Sequence, residues 1–160
     1  MPFAPFLVLR LMADSLYKQA INAILLELEK DAESVMNECI QEITYTHRSY
    51  NLYDSYGYGI YLDGKLTKSG FLSATPKATE GKNWYGEKIK GRDAISDYLK
   101  KDYKPSGAID LAIVAAMPYA KVLEDGGGNL KRSYRVISMS VQKLRALAAK
   151  YNGVVKVIRK

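Results

Sequence analysis

Ser55-Tyr-Gly-Tyr-Gly-Ile-Tyr-Leu62, then Asp63-Gly64, then Lys65-Leu-Thr-Lys-Ser-Gly-Phe-Leu72 is the stretch on which the fold turns. Two runs of strand-forming residues flank an Asp-Gly pair, and that pair suits a type I′ turn because both central residues need positive φ. The spacing therefore predicts a β-hairpin. On its first strand Tyr56, Tyr58, Ile60 and Leu62 share one face, and Gly57, Gly59 and Tyr61 share the other. Glycines along one face of a strand mark a bulge or a close approach by another backbone, and the long helix that precedes the hairpin, packing over this face, is one candidate.

That helix is expected from about Asp14 to Ile43. Ile21, Leu25, Leu28, Ala32, Val35, Cys39 and Ile43 recur at three- and four-residue steps and form one stripe, with Asp14 or Ser15 as the cap. Lys18, Glu29, Lys30, Glu33 and Asn37 fall on the opposite face. The pattern fits one rod or two helices joined near Glu29–Asp31, covering a sheet or another subunit. The apolar start, Phe3 to Leu11, reads as a separate arm over 1–13, lying on an adjacent subunit, docked within the chain or disordered. The remainder, 14–160, reads as one domain.

Downstream, 74–90 is polar, carries Pro76, Gly81 and Gly86, and is too long for a simple connection. Trp84 and Tyr85 sit within it. Gly91 to Lys101 predicts a short helix with Ala94, Ile95, Tyr98 and Leu99 on one face, and Ala108 to Ala116 predicts a buried strand ending at Met117-Pro118. Val141, Leu144, Leu147, Ala148 and Tyr151 predict a second amphipathic helix stopped at Asn152-Gly153, followed by a strand over Val154 to Ile158. The sum is an α+β fold: a long N-terminal helix and a C-terminal helix on one face of a mostly antiparallel sheet.

The chain has 160 residues, 48% apolar and 26% charged, which fits one globular domain. It holds one cysteine, Cys39, and one histidine, His47. A disulfide within the chain is thereby excluded, and these two are too few for a structural zinc site. No cofactor or metal is expected. His47 stands beside Arg48, whose charge favours the neutral imidazole, and a structural role is expected for it. Gly57-Tyr-Gly59 and Gly126-Gly-Gly128 lack the rest of a dinucleotide or phosphate-loop motif. Glu124-Asp125 would diverge on a strand, so no acid–base pair is read there. The residues thus point away from an enzyme. The start has no early positive charge and no run spans a membrane, so neither a secretory leader nor a membrane partner is expected.

The net charge is +7 and thirteen residues are tyrosine. Tyrosine is enriched in interface cores and also favours strands. The basic balance leaves a nucleic-acid-binding module as the alternative function, carried by Lys88, Lys90, Arg92, Lys100, Lys101 and Lys104.

Two further segments carry a resemblance. Thr46-His-Arg-Ser-Tyr-Asn-Leu52-Tyr-Asp54-Ser55 precedes the hairpin, and Tyr119-Ala120-Lys-Val-Leu-Glu124-Asp-Gly126 follows the apolar strand. In order and spacing the chain from about Ala20 to Gly127 resembles the tail-completion, or head–tail joining (neck), proteins of long-tailed bacteriophages. These have a P-x-D-T-G-x-L-x-x-S segment at the first place and Y-A-x-x-x-E-x-G at the second. The proline and the Thr-Gly pair are absent here, with Ser49-Tyr50 in the latter place. The resemblance implies a structural virion protein, made in the host cytoplasm and without enzymatic activity or cofactor. It further implies a homo-oligomeric ring, commonly sixfold, between the portal or connector and the tail proteins. On that reading Leu52 packs in the core, and Phe3, Phe6, Leu7, Trp84, Tyr85, Tyr119 and Glu124 serve subunit contacts. Lys88, Lys90 and Arg92 face a lumen, with non-specific contact to passing DNA.

Overall fold

A computed structural model of the chain describes residues 4–41, 53–71, 80–82, 85–118, 120, 122, 125–126 and 136–153, and side chains within the long helix from 14 to 38. The Val154–Ile158 strand, His47 and Leu52 lie outside the described residues.

The first element, α1, is one uninterrupted helix, Ala4–Gln41, of 38 residues. At 1.5 Å per residue it is about 57 Å long. It begins well before Asp14, and the segment expected as a separate arm forms its first turns. The reason is local: Pro5 stands in the first turn, where a missing N–H is harmless, and no glycine or proline follows before Gln41. Asp14 is therefore an exposed mid-helix residue and caps nothing.

The hairpin forms as expected. Strands β1 (Tyr56–Leu62) and β2 (Lys65–Phe71) are antiparallel, and the turn residues Asp63 and Gly64 have φ of 48° and 79°. A bulge between Ile60 and Tyr61 shifts the register. After β2 come two short paired strands, β3 (Gly81–Lys82) and β4 (Lys88–Ile89), so part of the expected polar loop is itself a small hairpin. Next are α2 (Gly91–Asp97), a π-helical turn (Tyr98–Asp102), β5 (Ile109–Ala115) and α3 (Val136–Lys150). The main sheet has the order β2-β1-β5, antiparallel throughout.

The long helix and the C-terminal helix share one face of this sheet. Tyr58 donates from its hydroxyl to Glu33 of α1 at 3.2 Å, and Lys68 of β2 pairs with Glu29. Glu29 and Glu33, expected on the face opposite the apolar stripe, thus meet the sheet. Lys143 pairs with Glu38, and Lys150 pairs with Glu27 at 2.7 Å and Asp31 at 3.1 Å. The partners move back along α1 as α3 advances, so the two helices run antiparallel. At the end of α3 the left-handed residue is Asn152 (φ 50°), not Gly153, and the Gly153 N–H donates to the Ala148 carbonyl at 2.7 Å. This is a Schellman stop.

The glycine face is covered by α2, and the expected candidate, α1, lies on the other side. A methyl group at Gly57 would stand 2.6 Å from the Gly70 carbonyl and 2.9 Å from Ile95, and one at Gly59 would stand 2.8 Å from Leu99. The glycines let Ile95 and Leu99 sit almost on the β1 backbone. Leu25, Leu28, Ala32 and Met36 of α1 and Ile95 and Leu99 of the α2 side are all buried, so β1 is the middle of the core.

Candidate functional site

The body of the protein takes up only part of α1. Ile21 is the first described α1 residue packed against the core, and burial begins at Leu25. From 14 to 20 every residue is exposed, including Leu16 at 64% and Tyr17 at 66%. Upstream the sequence Ala-Pro-Phe-Leu-Val-Leu-Arg-Leu-Met-Ala13 carries one charge, Arg10. Among the described residues no helix is long and apolar enough to cross a membrane.

An outer stripe was not legible in the single-stripe reading of α1. Leu16, Ala20, Ala23 and Leu26 are exposed and recur at four-, three- and three-residue steps, opposite the buried Leu25 and Ala32. The signal is a second apolar periodicity within the same helix. Lys30 ends the stripe at the base.

The residues expected at subunit contacts fall in three groups. Phe6 and Leu7 are in the first turns of α1. Phe3, Trp84, Tyr119 and Glu124 lie outside the described residues. Tyr85 is exposed, and its hydroxyl donates to Asp102 at 3.0 Å, which raises its pKa. Ala120, next to Tyr119, is buried and helical, and its N–H donates to the carbonyl of the fully buried Met117 at 3.0 Å. Asp125 is helical, where the sequence suggests a strand.

Lys88, Lys90 and Arg92 are exposed on β4 and the start of α2. The Arg92 guanidinium lies 3.7 Å from the ring centre of Phe71, a cation–π contact that ties α2 to the end of β2. Along the basic stretch from Lys88 to Lys104 the sequence also carries Asp93, Asp97 and Asp102, with Glu87 just before it, and Lys101 pairs with Asp97 at 3.1 Å. The face is mixed in sign rather than uniformly basic.

Ionisable groups in the body serve packing. Tyr61 donates to the Leu99 carbonyl at 2.7 Å, and its ring lies 4.8 Å from that of Tyr103. Burial, then the Asp110 carboxylate, pushes the Tyr103 hydroxyl up to about 12. Asp110 accepts from the Ser106 and Gly107 N–H groups at 2.7 and 3.0 Å, which shapes the turn into β5. Among the described residues no three His, Cys, Asp or Glu side chains converge to hold a metal. A cleft of about 130 Å³ between α1 and the hairpin, lined by Met36, Tyr58 and Phe71, is smaller than the roughly 300 Å³ of the smallest usual ligand pockets.

The chain matches no family model, no curated protein and no solved structure in the three comparisons made with known proteins.

Proposed function

We propose that this protein is a structural subunit of an assembly, of the neck or tail-completion kind found in tailed-phage virions. In that role copies form a ring that meets the portal or connector on one side and tail proteins on the other. The observation that carries the reading is the exposed stretch of α1 around Leu16 and Tyr17, continuous with an almost uncharged N-terminal sequence. Large apolar side chains left exposed on a helix are a usual mark of a protein contact. The fold supports the same reading. The hairpin, β5 and the buried Met117 and Ala120 follow one another in the order the resemblance implies.

Mass spectrometry of purified virions, made with the neighbouring portal and tail genes, tests the proposal. The protein is expected in stoichiometric amount at the neck. Its absence from intact particles overturns the reading. The nucleic-acid alternative takes second place, because Asp93, Asp97 and Asp102 alternate with the basic residues from Arg92 to Lys104.

A further inference from the structure

We infer, independently of the assembly reading above, that α3 is a latch: a unit of the fold clipped to α1 by ion pairs, which lifts off as ionic strength rises while the sheet and α2 stay folded.

The sequence supplies both halves of the clip. Glu27, Asp31, Ser34 and Glu38 recur at four-, three- and four-residue steps, so they form one polar stripe along α1. Lys143 and Lys150 are seven residues apart, about two turns of α3. With the helices antiparallel, Lys143 meets Glu38, and Lys150 reaches Glu27 at 2.7 Å and Asp31 at 3.1 Å. Ser34 donates to Glu38 at 3.1 Å, and the Tyr151 hydroxyl donates to Asp31 at 3.0 Å. Every member of the stripe is engaged, and the pairs fix the register of α3 on α1.

Packing seats α3 less deeply than it seats α2. In α2, Gly91, Ala94 and Ile95 are buried. From 141 to 150 no α3 residue is buried: Val141, Leu144, Leu147 and Ala148 reach half-burial, and Tyr151, just beyond, packs half-buried against the core. Elements that bury few side chains open at a fraction of the global free energy. The paired groups also stay wet, with side-chain exposures from 27% at Asp31 to 54% at Glu27, so dissolved ions reach them. The Debye length falls from about 10 Å at 0.1 M salt to about 3 Å at 1 M, which screens such pairs. Lys68–Glu29 also joins two elements, yet α1 and β1 have fully seated side chains of their own, among them Leu28, Ala32, Tyr58 and Ile60. Lys101–Asp97 lies within one helical stretch, so screening it separates nothing. A lone helix of 15 residues is marginal in water, so a lifted α3 loses its amide protection.

Hydrogen exchange of the full chain, read by mass spectrometry at about 0.05 M and about 1 M sodium chloride, tests this. Amides of α3 are expected to exchange faster than those of β1 at both, and on the order of tenfold faster at high salt than at low, with β1 and β2 unmoved. Lys150→Met is expected to bring fast α3 exchange to low salt and to flatten its salt response to about threefold or less. Lys101→Met is expected to leave α3 as in the wild type. Exchange of α3 in step with β1 at both salts, or a full wild-type salt response in Lys150→Met, overturns the latch.

Discussion

The two halves of α1 are the same helix in different surroundings. From Leu25 to Met36 its inner face is sealed against the sheet and α3, with Ala32 fully buried. From 14 to 20 every residue is exposed. Helical geometry alone is continuous across both, so what differs is what the side chains are asked to do. In the lower half, apolar residues hold one chain together. In the upper half, Leu16 and Tyr17 stand exposed to solvent.

That contrast can be broken most forcefully at the sheet. Gly57→Val would drive a side chain into the Gly70 carbonyl, which is backbone and cannot step aside. A loss on the order of 3 kcal/mol is expected, enough to leave much of the protein unfolded, as read by urea denaturation. Next comes a paired comparison within α1. Leu28→Ala is expected to cost about 2–5 kcal/mol, whereas Leu16→Ala should change the stability of the isolated subunit by less than about 0.5 kcal/mol. Equal losses would mean that the upper half is packed after all.

Smaller effects sharpen the picture of the α2 side. Tyr61→Phe removes the donor to the buried Leu99 carbonyl, and a loss of about 1–2 kcal/mol in denaturant titration is expected. The last effect is alkaline. Tyr103 has its hydroxyl raised to about 12 by burial and Asp110, and Tyr58 and Tyr61 are raised by burial as well. The folded state holds these protons more tightly than the unfolded chain, so their contribution is complete below about pH 10 and is lost as pH rises toward 12. The melting temperature should fall across that window, and Tyr103→Phe should make the fall shallower.

Much of this architecture was readable before any coordinates. Asp63-Gly64 announced the hairpin because few residue pairs tolerate two positive φ angles, and the single period of Ala94, Ile95 and Leu99 announced α2. The side on which α2 sits was not readable. Gly57 and Gly59 tell of a close neighbour and carry no label saying which one. The start of α1 was misplaced because Asp14-Ser15 has the chemistry of a cap, while helix continuity depends on the lack of any breaker on either side. At the candidate interface, Tyr17 and Leu16 looked like ordinary helix residues, since exposure is a property of what surrounds a residue and not of its type.

The sheet order also dictates an order of events. The β1–β2 ladder closes across a two-residue turn, but the β1–β5 ladder must bring Ile109 back to Leu62 across all of β2, β3, β4 and α2. Local closure is faster than long-range closure. We therefore expect a newly made chain to pass through a stage in which Tyr56 to Leu62 is paired on one side only, with its other edge open to strands of neighbouring chains. Pulsed hydrogen exchange during refolding would show it as early protection in the hairpin and late protection in β5, and simultaneous protection of both would dismiss it.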